Sequence, residues 1–373
     1  MMHILLAANY NDRGTAYCAY LALKRFGHKI TLIFPEDCGC EDWVKISRGT
    51  PIPDFVSTLG QKPDIYMQVE WGASHKWFPA GIAELDMPTA FWALDNHLNF
   101  RWQKEYCELF DYAFFTQYDW AEKAKRYGIG NISWLPYAAD ELFHRDAELE
   151  RDIEVGYVGS VTGQKMPFFE SLRQSGVDLQ TNDRYFTHEE AGRFYSRCKI
   201  VYNICARFDL NHRTFEAALA GALMVGQGVI DKGFYKIFTP GVDADIHDFD
   251  DAPRVIKGYL ADVERLRRVA AAGQKLVRDG HTYRHRMGKM LNACSGGVTR
   301  RRLDIAHSHL AHLKMALVFG HPHFRMKPEA VREMRLALGK DFAGTIFYLL
   351  KYGIWRIKEK IQKTIWEMGK RPV

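Results

Sequence analysis

Short apolar runs recur along the first 250 residues, and few of them alternate with polar positions. "MHILLAA" (2–8), "HKITLIF" (28–34), "DIYMQV" (64–69), "PTAFWAL" (88–94), "YAFFT" (112–116) and "ISWLP" (132–136) have the length and the β-branched or aromatic content of strands. Runs of this kind mark strands covered on both faces, as in a parallel sheet flanked by helices. Between them, 15–26 and 118–128 are patterned as helices, the second stopped by Gly128. "LPYAADELFHRDAELERD" (135–152) interrupts the rhythm with a proline and dense charge, which predicts a linker. The rhythm restarts with "IEVGYVGS" (153–160), "VDLQT" (177–181), "KIVYNI" (199–204), "ALMVG" (222–226) and "ADIH" (244–247). The predicted fold is α/β: two tandem doubly wound domains, 1–139 and 153–299, joined by a linker at 140–152. A helical tail, 300–373, follows and either stands apart or returns to the first domain.

Charge sharpens this division. Residues 300–373 hold 16 Lys and Arg against 6 Asp and Glu, although the whole chain is only +6, so the remainder is mildly acidic. Within the tail, 341–368 places Ile346, Leu350, Ile354, Ile357, Ile361 and Ile365 on one helical stripe, with lysines and arginines elsewhere around it. Such a helix can lie on an anionic membrane surface, or it can dock on the first domain. An acidic body with no recognition module argues against nucleic acid as a partner. No run of 18 apolar residues predicts a membrane span, and the opening stretch lacks the basic start of a signal peptide. Seven cysteines with no Cys-x-x-Cys pair fit a reducing cytoplasm. The expected location is therefore cytoplasmic, with peripheral attachment to the inner face of the membrane through the tail.

Ligands of doubly wound sheets bind beyond the carboxyl ends of the strands, so chemistry is sought in the loops there. After 153–160 comes Gly159-Ser160-Val161-Thr162-Gly163, then a helix expected near Pro167. Glycines let backbone N–H groups approach a phosphate, and Lys165 adds a full charge; the plain alternative is an ordinary strand-to-helix turn. The next such loop leads into "NHRTFEAALAGALMVGQG" (211–228), with Asn211 as N-cap, Arg213 in the first turn and Glu216 three residues on. A guanidinium there can grip a diphosphate, and a carboxylate can accept both vicinal hydroxyls of a ribose. Otherwise the two form an i,i+3 ion pair worth about 0.2–0.5 kcal/mol.

"DIEVGYVGS", "YSRCKIVYNICARFDLNHRTFEAALAGALMVGQ" and "HTYRHRMGKML" (281–291) together resemble the CgeB-like, spore-maturation-type family of GT-B glycosyltransferases over 150–292. The resemblance implies two Rossmann-like domains, with the donor nucleotide in the second. It implies that Arg213 contacts the diphosphate and Glu216 the ribose of a nucleoside-diphosphate sugar, with Gly159 and Ser160 by the phosphates and Asn203 and Arg207 nearby. Many retaining relatives carry a second glutamate eight positions before the ribose-binding one, and here that position is Phe208. Retention or inversion at the sugar is thus left open.

Transfer from such a donor needs cations against the departing diphosphate, which Arg213, Lys165 and the 159–163 turn can supply without a metal or other cofactor. An inverting reaction also needs a base on the acceptor side. "ALDNHL" offers His97 oriented by Asp95, and "VEWG" offers Glu70; the alternative is that Asp95 and Asn96 only shape a turn. The reading is a glycosyltransferase whose acceptor the sequence does not identify; a glycan, a lipid-linked saccharide and a protein are the candidates, and the basic tail tilts the choice toward the cell envelope. A nucleotide-sugar epimerase on the same fold, or a donor-binding protein without turnover, are its alternatives.

Overall fold

The computed structural model describes residues 1–71, 77–163, 165–182, 184–204, 209–227 and 232–299. A first sheet contains β1 (His3–Ala7), β2 (Lys29–Phe34), β3 (Trp43–Lys45), β4 (Ile65–Val69), β5 (Thr89–Ala93), β6 (Tyr112–Phe115) and β7 (Ile132–Trp134). A second contains β8 (Ile153–Tyr157), β9 (Leu179–Thr181), β10 (Cys198–Asn203), β11 (Leu223–Gln227) and β12 (Asp245–His247). The strand orders are β3-β2-β1-β4-β5-β6-β7 and β12-β11-β10-β8-β9, with every pairing parallel. Every strand expected from the apolar runs forms, because β1, β4, β5 and β11 are buried along their whole length. The short edge strand β3 was not expected; its Val44 is exposed, so no apolar run marks it.

Both sheets reverse direction at one point, between β1 and β4 in the first and between β8 and β10 in the second. The loops after β1, β8 and β10 therefore open into crevices where a ligand can enter. Helix ends follow local chemistry. The Tyr118–Arg126 helix is closed by Gly128 at φ 84°, a left-handed position that glycine adopts without strain.

Two domain boundaries differ from the expected ones. The Tyr283–Cys294 helix, assigned by sequence to the second domain, crosses back and completes the first. Tyr283, Met287, Met290 and Cys294 are buried in the first lobe's core with Leu23, Met67 and Trp92. Arg286, fully buried, donates to the carbonyls of Pro136 (2.8 Å) and Tyr137 (3.0 Å) and locks the crossing. The 140–152 segment is likewise no simple linker. Asp140 is buried and takes two hydrogen bonds from Arg25, at 2.9 and 2.7 Å, and His144 is also fully buried. Charge density alone predicted exposure, but each of these polar groups finds a partner that permits burial. Residues 300–373, and with them the amphipathic stretch 341–368, lie outside the described residues.

Truncating Met290 to Ala should cost about 2–5 kcal/mol through the cavity it leaves in the first lobe. Leu98→Ala, at a half-exposed position, should change stability by less than about 0.5 kcal/mol. Urea denaturation measures both.

Candidate functional site

The turn after β8 and the helix after β10 meet at the crevice of the second sheet. Gly159 has φ 137°, and a Cβ placed there would lie 2.6 Å from Nη2 of Arg213, so only glycine lets the turn approach the guanidinium. Arg213 sits in the first turn of the His212–Leu219 helix and is almost completely buried. Its Nη1 donates to Asn203 Oδ1 at 2.7 Å, and its guanidinium lies 4.5 Å above the Tyr157 ring. Lys165 reaches the same tyrosine, donating to its hydroxyl at 2.8 Å and to the Ser160 carbonyl at 3.3 Å. Its helix begins at Lys165, two residues earlier than expected. Asn211 occupies the N-cap position but makes no capping bond; its amide and that of Asn203 face each other. Asn203 lines neither cavity described below and acts from behind, by holding Arg213.

Glu216 is one helical turn beyond His212 and is 2 % exposed. Its Oε1 faces two histidines, His144 Nε2 at 3.4 Å and His188 Nδ1 at 3.6 Å. The alternative Arg213–Glu216 ion pair does not form; Glu216 meets the two histidines instead. Neither distance makes a full hydrogen bond for Oε1, which stays buried and unsatisfied together with His144 Nε2. Burial opposes a charge on Glu216, but His212, His144 and His188 outweigh it and hold the carboxyl below its usual range. Burial pushes His144 down to about 4. Burial also works against a charge on His188, yet Glu216 and the Gly14 carbonyl overcome it and raise its pKa.

A cavity of 540 Å³ opens here with walls from both lobes: Arg13 from the loop after β1, Gly159–Thr162, Thr181, Asn182 and Arg184–His188 around the loop after β9, and His212, Arg213 and Glu216. A second cavity, 370 Å³, adjoins it through Arg13, His212 and Arg213. Asp95, His97, Lys165 and Asp209 line this second space. The first is large enough for a ligand of several hundred daltons that is apolar on one side and anionic on the other.

The acceptor-side residues are arranged differently from expectation. Asp95 is in the left-handed region at φ 46°, and its Oδ1 accepts from the Tyr137 hydroxyl at 2.7 Å rather than orienting His97. His97 reaches the second cavity, but its Nδ1 is buried without a partner among the described residues. Glu70 is committed elsewhere: it accepts from Leu94 N (2.8 Å), Asn99 (2.8 Å) and Gln103 (2.6 Å). Burial and the charge of Asp95 push its carboxyl well up. Arg207 and Phe208 lie outside the described residues.

Sequence reasoning gave no role to Arg13, His144, His188, His212 or Asp209. The position of Arg13 beyond β1, at the switch of strand order, is a signal that could have found it; Asp209 likewise follows β10. His144 and His188 carry no local signal, because only the packing of the 140–144 turn on the His188–Arg197 helix brings them to Glu216. Two Asp-x-Asp triplets, Asp243–Asp245 and Asp248–Asp250, were passed over, and they line neither cavity. Asp243 accepts from Thr239 N and Asp245 from the Tyr259 hydroxyl. Among the described residues, no helix is long and apolar enough to cross a membrane.

Comparison with known proteins bears on this arrangement. Residues 141–292 match a family described as glycosyl transferase-like. Among solved structures, HepE from Anabaena in complex with UDP and glucose superposes with a TM-score of 0.60 at 10% identity, covering 79% of this chain and 100% of that one. Sucrose-phosphate synthase from Thermosynechococcus elongatus gives 0.54 at 13% identity, covering 79% and 99%. The pneumococcal O-GlcNAc transferase GtfA in complex with UDP and GlcNAc gives 0.52 at 9% identity, also covering 79% and 99%. No curated protein sequence matches this chain. Its two lobes have the GT-B fold, and the stretch similar to the glycosyl transferase-like family, 141–292, spans the second lobe and most of the helix that returns to the first.

Proposed function

We propose that this protein transfers a glycosyl unit from a nucleoside-diphosphate sugar to an acceptor, without a metal, and that it stands with the CgeB-like enzymes among GT-B transferases. The observation that carries this reading is the 540 Å³ cavity at the strand-order switch, with Arg213 and Glu216 in its wall. In this reading Arg213 pairs with the diphosphate, the Gly159–Ser160 turn offers its backbone to the same phosphates, and Glu216 accepts from the ribose. UDP in HepE and GtfA makes a uridine nucleotide the first donor to test. The adjoining 370 Å³ space suits the sugar and the acceptor, which favours transfer over epimerisation.

The bond between the anomeric carbon and the diphosphate oxygen breaks, and its electron pair leaves with the diphosphate. Arg213, itself almost completely buried, and Lys165 balance that charge. The acceptor oxygen bonds to the anomeric carbon and gives its proton to a base. His97 is the proposed base. Asp209 is its competitor: it lines the same cavity, is only 9% exposed, and makes no side-chain hydrogen bond among the described residues. The acceptor is proposed to be a cell-envelope glycan or lipid-linked saccharide, met at the inner membrane surface through the basic tail.

Arg213→Ala and Glu216→Ala should each weaken UDP binding by roughly tenfold or more, as expected for lost charge-assisted bonds. Gly159→Ala should weaken it by displacing the guanidinium. Isothermal calorimetry reads all three, and unchanged affinity in the first two would refute the site. His97→Ala should lower transfer by roughly 100-fold with UDP affinity kept; if only Asp209→Asn does so, the base is Asp209. Full-length protein should sediment with anionic vesicles and lose that binding when 341–373 is deleted.

A further inference from the structure

We propose that His188, as an imidazolium, positions the Glu216 carboxylate in the larger cavity and ties that position to the first lobe. The purpose of the tie rests on the donor-binding reading above; the tie itself rests on geometry. His188 lies at the start of the His188–Arg197 helix, fixed by a capping box in which Thr187 Oγ1 accepts from Glu190 N and Glu190 accepts from Thr187 N. Its ring packs beside Tyr17, at 6.3 Å and 7°, and Phe143, at 6.0 Å and 23°, which also stack on each other at 5.6 Å. Both its backbone and its side chain reach the loop after β1: His188 N donates to Asp12 O at 3.2 Å, and ring Nε2 lies 3.2 Å from the Gly14 carbonyl.

These contacts settle the protonation. A carbonyl only accepts, so Nε2 carries hydrogen. Were the ring neutral, the lone pair on Nδ1 would face Glu216 Oε1 across 3.6 Å and repel it. A second proton turns that repulsion into attraction, and the ring then donates to the first lobe on one side and sets its positive charge 3.6 Å from Glu216 on the other. His144 cannot take this part. Its Nδ1 accepts from Asp140 N at 3.0 Å, which leaves a neutral ring with its hydrogen on Nε2, 3.4 Å from Oε1 and not hydrogen-bonded to it. The same tautomer argues against a metal among His144, His188 and Glu216, because the His144 nitrogen that would bind it carries a proton.

The remaining charges around His188 do not cancel the effect. Asp140, on the turn that carries His144, is paired with Arg25. His212 and Arg213 share the helix of Glu216 and flank it on the cavity side. Asp12 and Arg13, on the loop after β1, are more than half exposed and meet each other at 3.8 Å. Glu189 on its own helix is exposed. Because the His188 pKa is raised, its stabilising contribution is complete below the ordinary imidazole value and fades as pH rises through the folded-state value.

The test compares wild type, His188→Gln and Glu216→Gln at about pH 6 and about pH 9, reading melting temperature and UDP affinity. At the lower pH, His188→Gln should melt roughly 2–6 °C below wild type and bind UDP roughly tenfold more weakly. At the higher pH both differences should shrink to within ~1 °C and about twofold, and on the Glu216→Gln background they should no longer depend on pH. An equal gap at both pH values would mean simple packing and overturn the proposal. Stoichiometric zinc in the purified protein, lost in His188→Gln, would overturn it too. If wild type binds UDP at neither pH while the pH-dependent melting gap persists, the tie stands and the donor reading fails. Should His188→Gln not fold, ring NMR titration of His188 in wild type decides: protonation persisting above the ordinary value supports the tie, and a ring already neutral at pH 6 overturns it.

Discussion

The arrangement depends on a guanidinium held almost out of water at the mouth of a crevice. A buried cation costs several kcal/mol unless neighbours compensate it, and Arg213 is met by the Asn203 amide and the face of Tyr157. Much of the nearby sequence serves that placement. Gly159 is glycine because a side chain there would collide with the guanidinium. Asn211 gives up its capping bond to face Asn203. Lys165 shares Tyr157 with Arg213 and brings a second positive charge to the same wall. A charge kept so close to a cavity, at some cost to stability, is suited to an anionic guest.

The cavity also needs the first lobe. Its wall includes Arg13, and the loop carrying Arg13 is bound to the second lobe through His188. Elsewhere the lobes are joined by burial: the Tyr283–Cys294 helix fills the first lobe's core, and Arg286 is fixed by the carbonyls of 136 and 137. The polar contacts near the cavity are longer and fewer than those at the crossing. Relative movement of the lobes would therefore be felt first at the cavity, where Glu216 and its histidines sit.

The sheets were legible in the sequence because parallel strands buried on both faces leave unbroken apolar runs, and the loops that form the cavity follow from strand order. Arg213 and Glu216 were legible for the same reason, lying where a helix opens after β10. Legibility failed where tertiary packing overrides composition. The charged segment around 140–144 reads as an exposed linker, yet Asp140 and His144 are buried by partners 115 and 72 residues away in sequence, Arg25 and Glu216. The return of 283–294 was missed because its apolar stripe shows that it packs, not on which lobe. Asp95 was read as a partner of His97 from proximity alone, whereas Tyr137, from a distant segment, claims its carboxylate.

A crystal structure of the protein soaked with UDP tests the central claim most directly. The account predicts the diphosphate within hydrogen-bond distance of Arg213 and the ribose hydroxyls against Glu216, inside the larger cavity. A nucleotide bound away from both side chains, or a cavity that stays empty at saturating UDP, would contradict it.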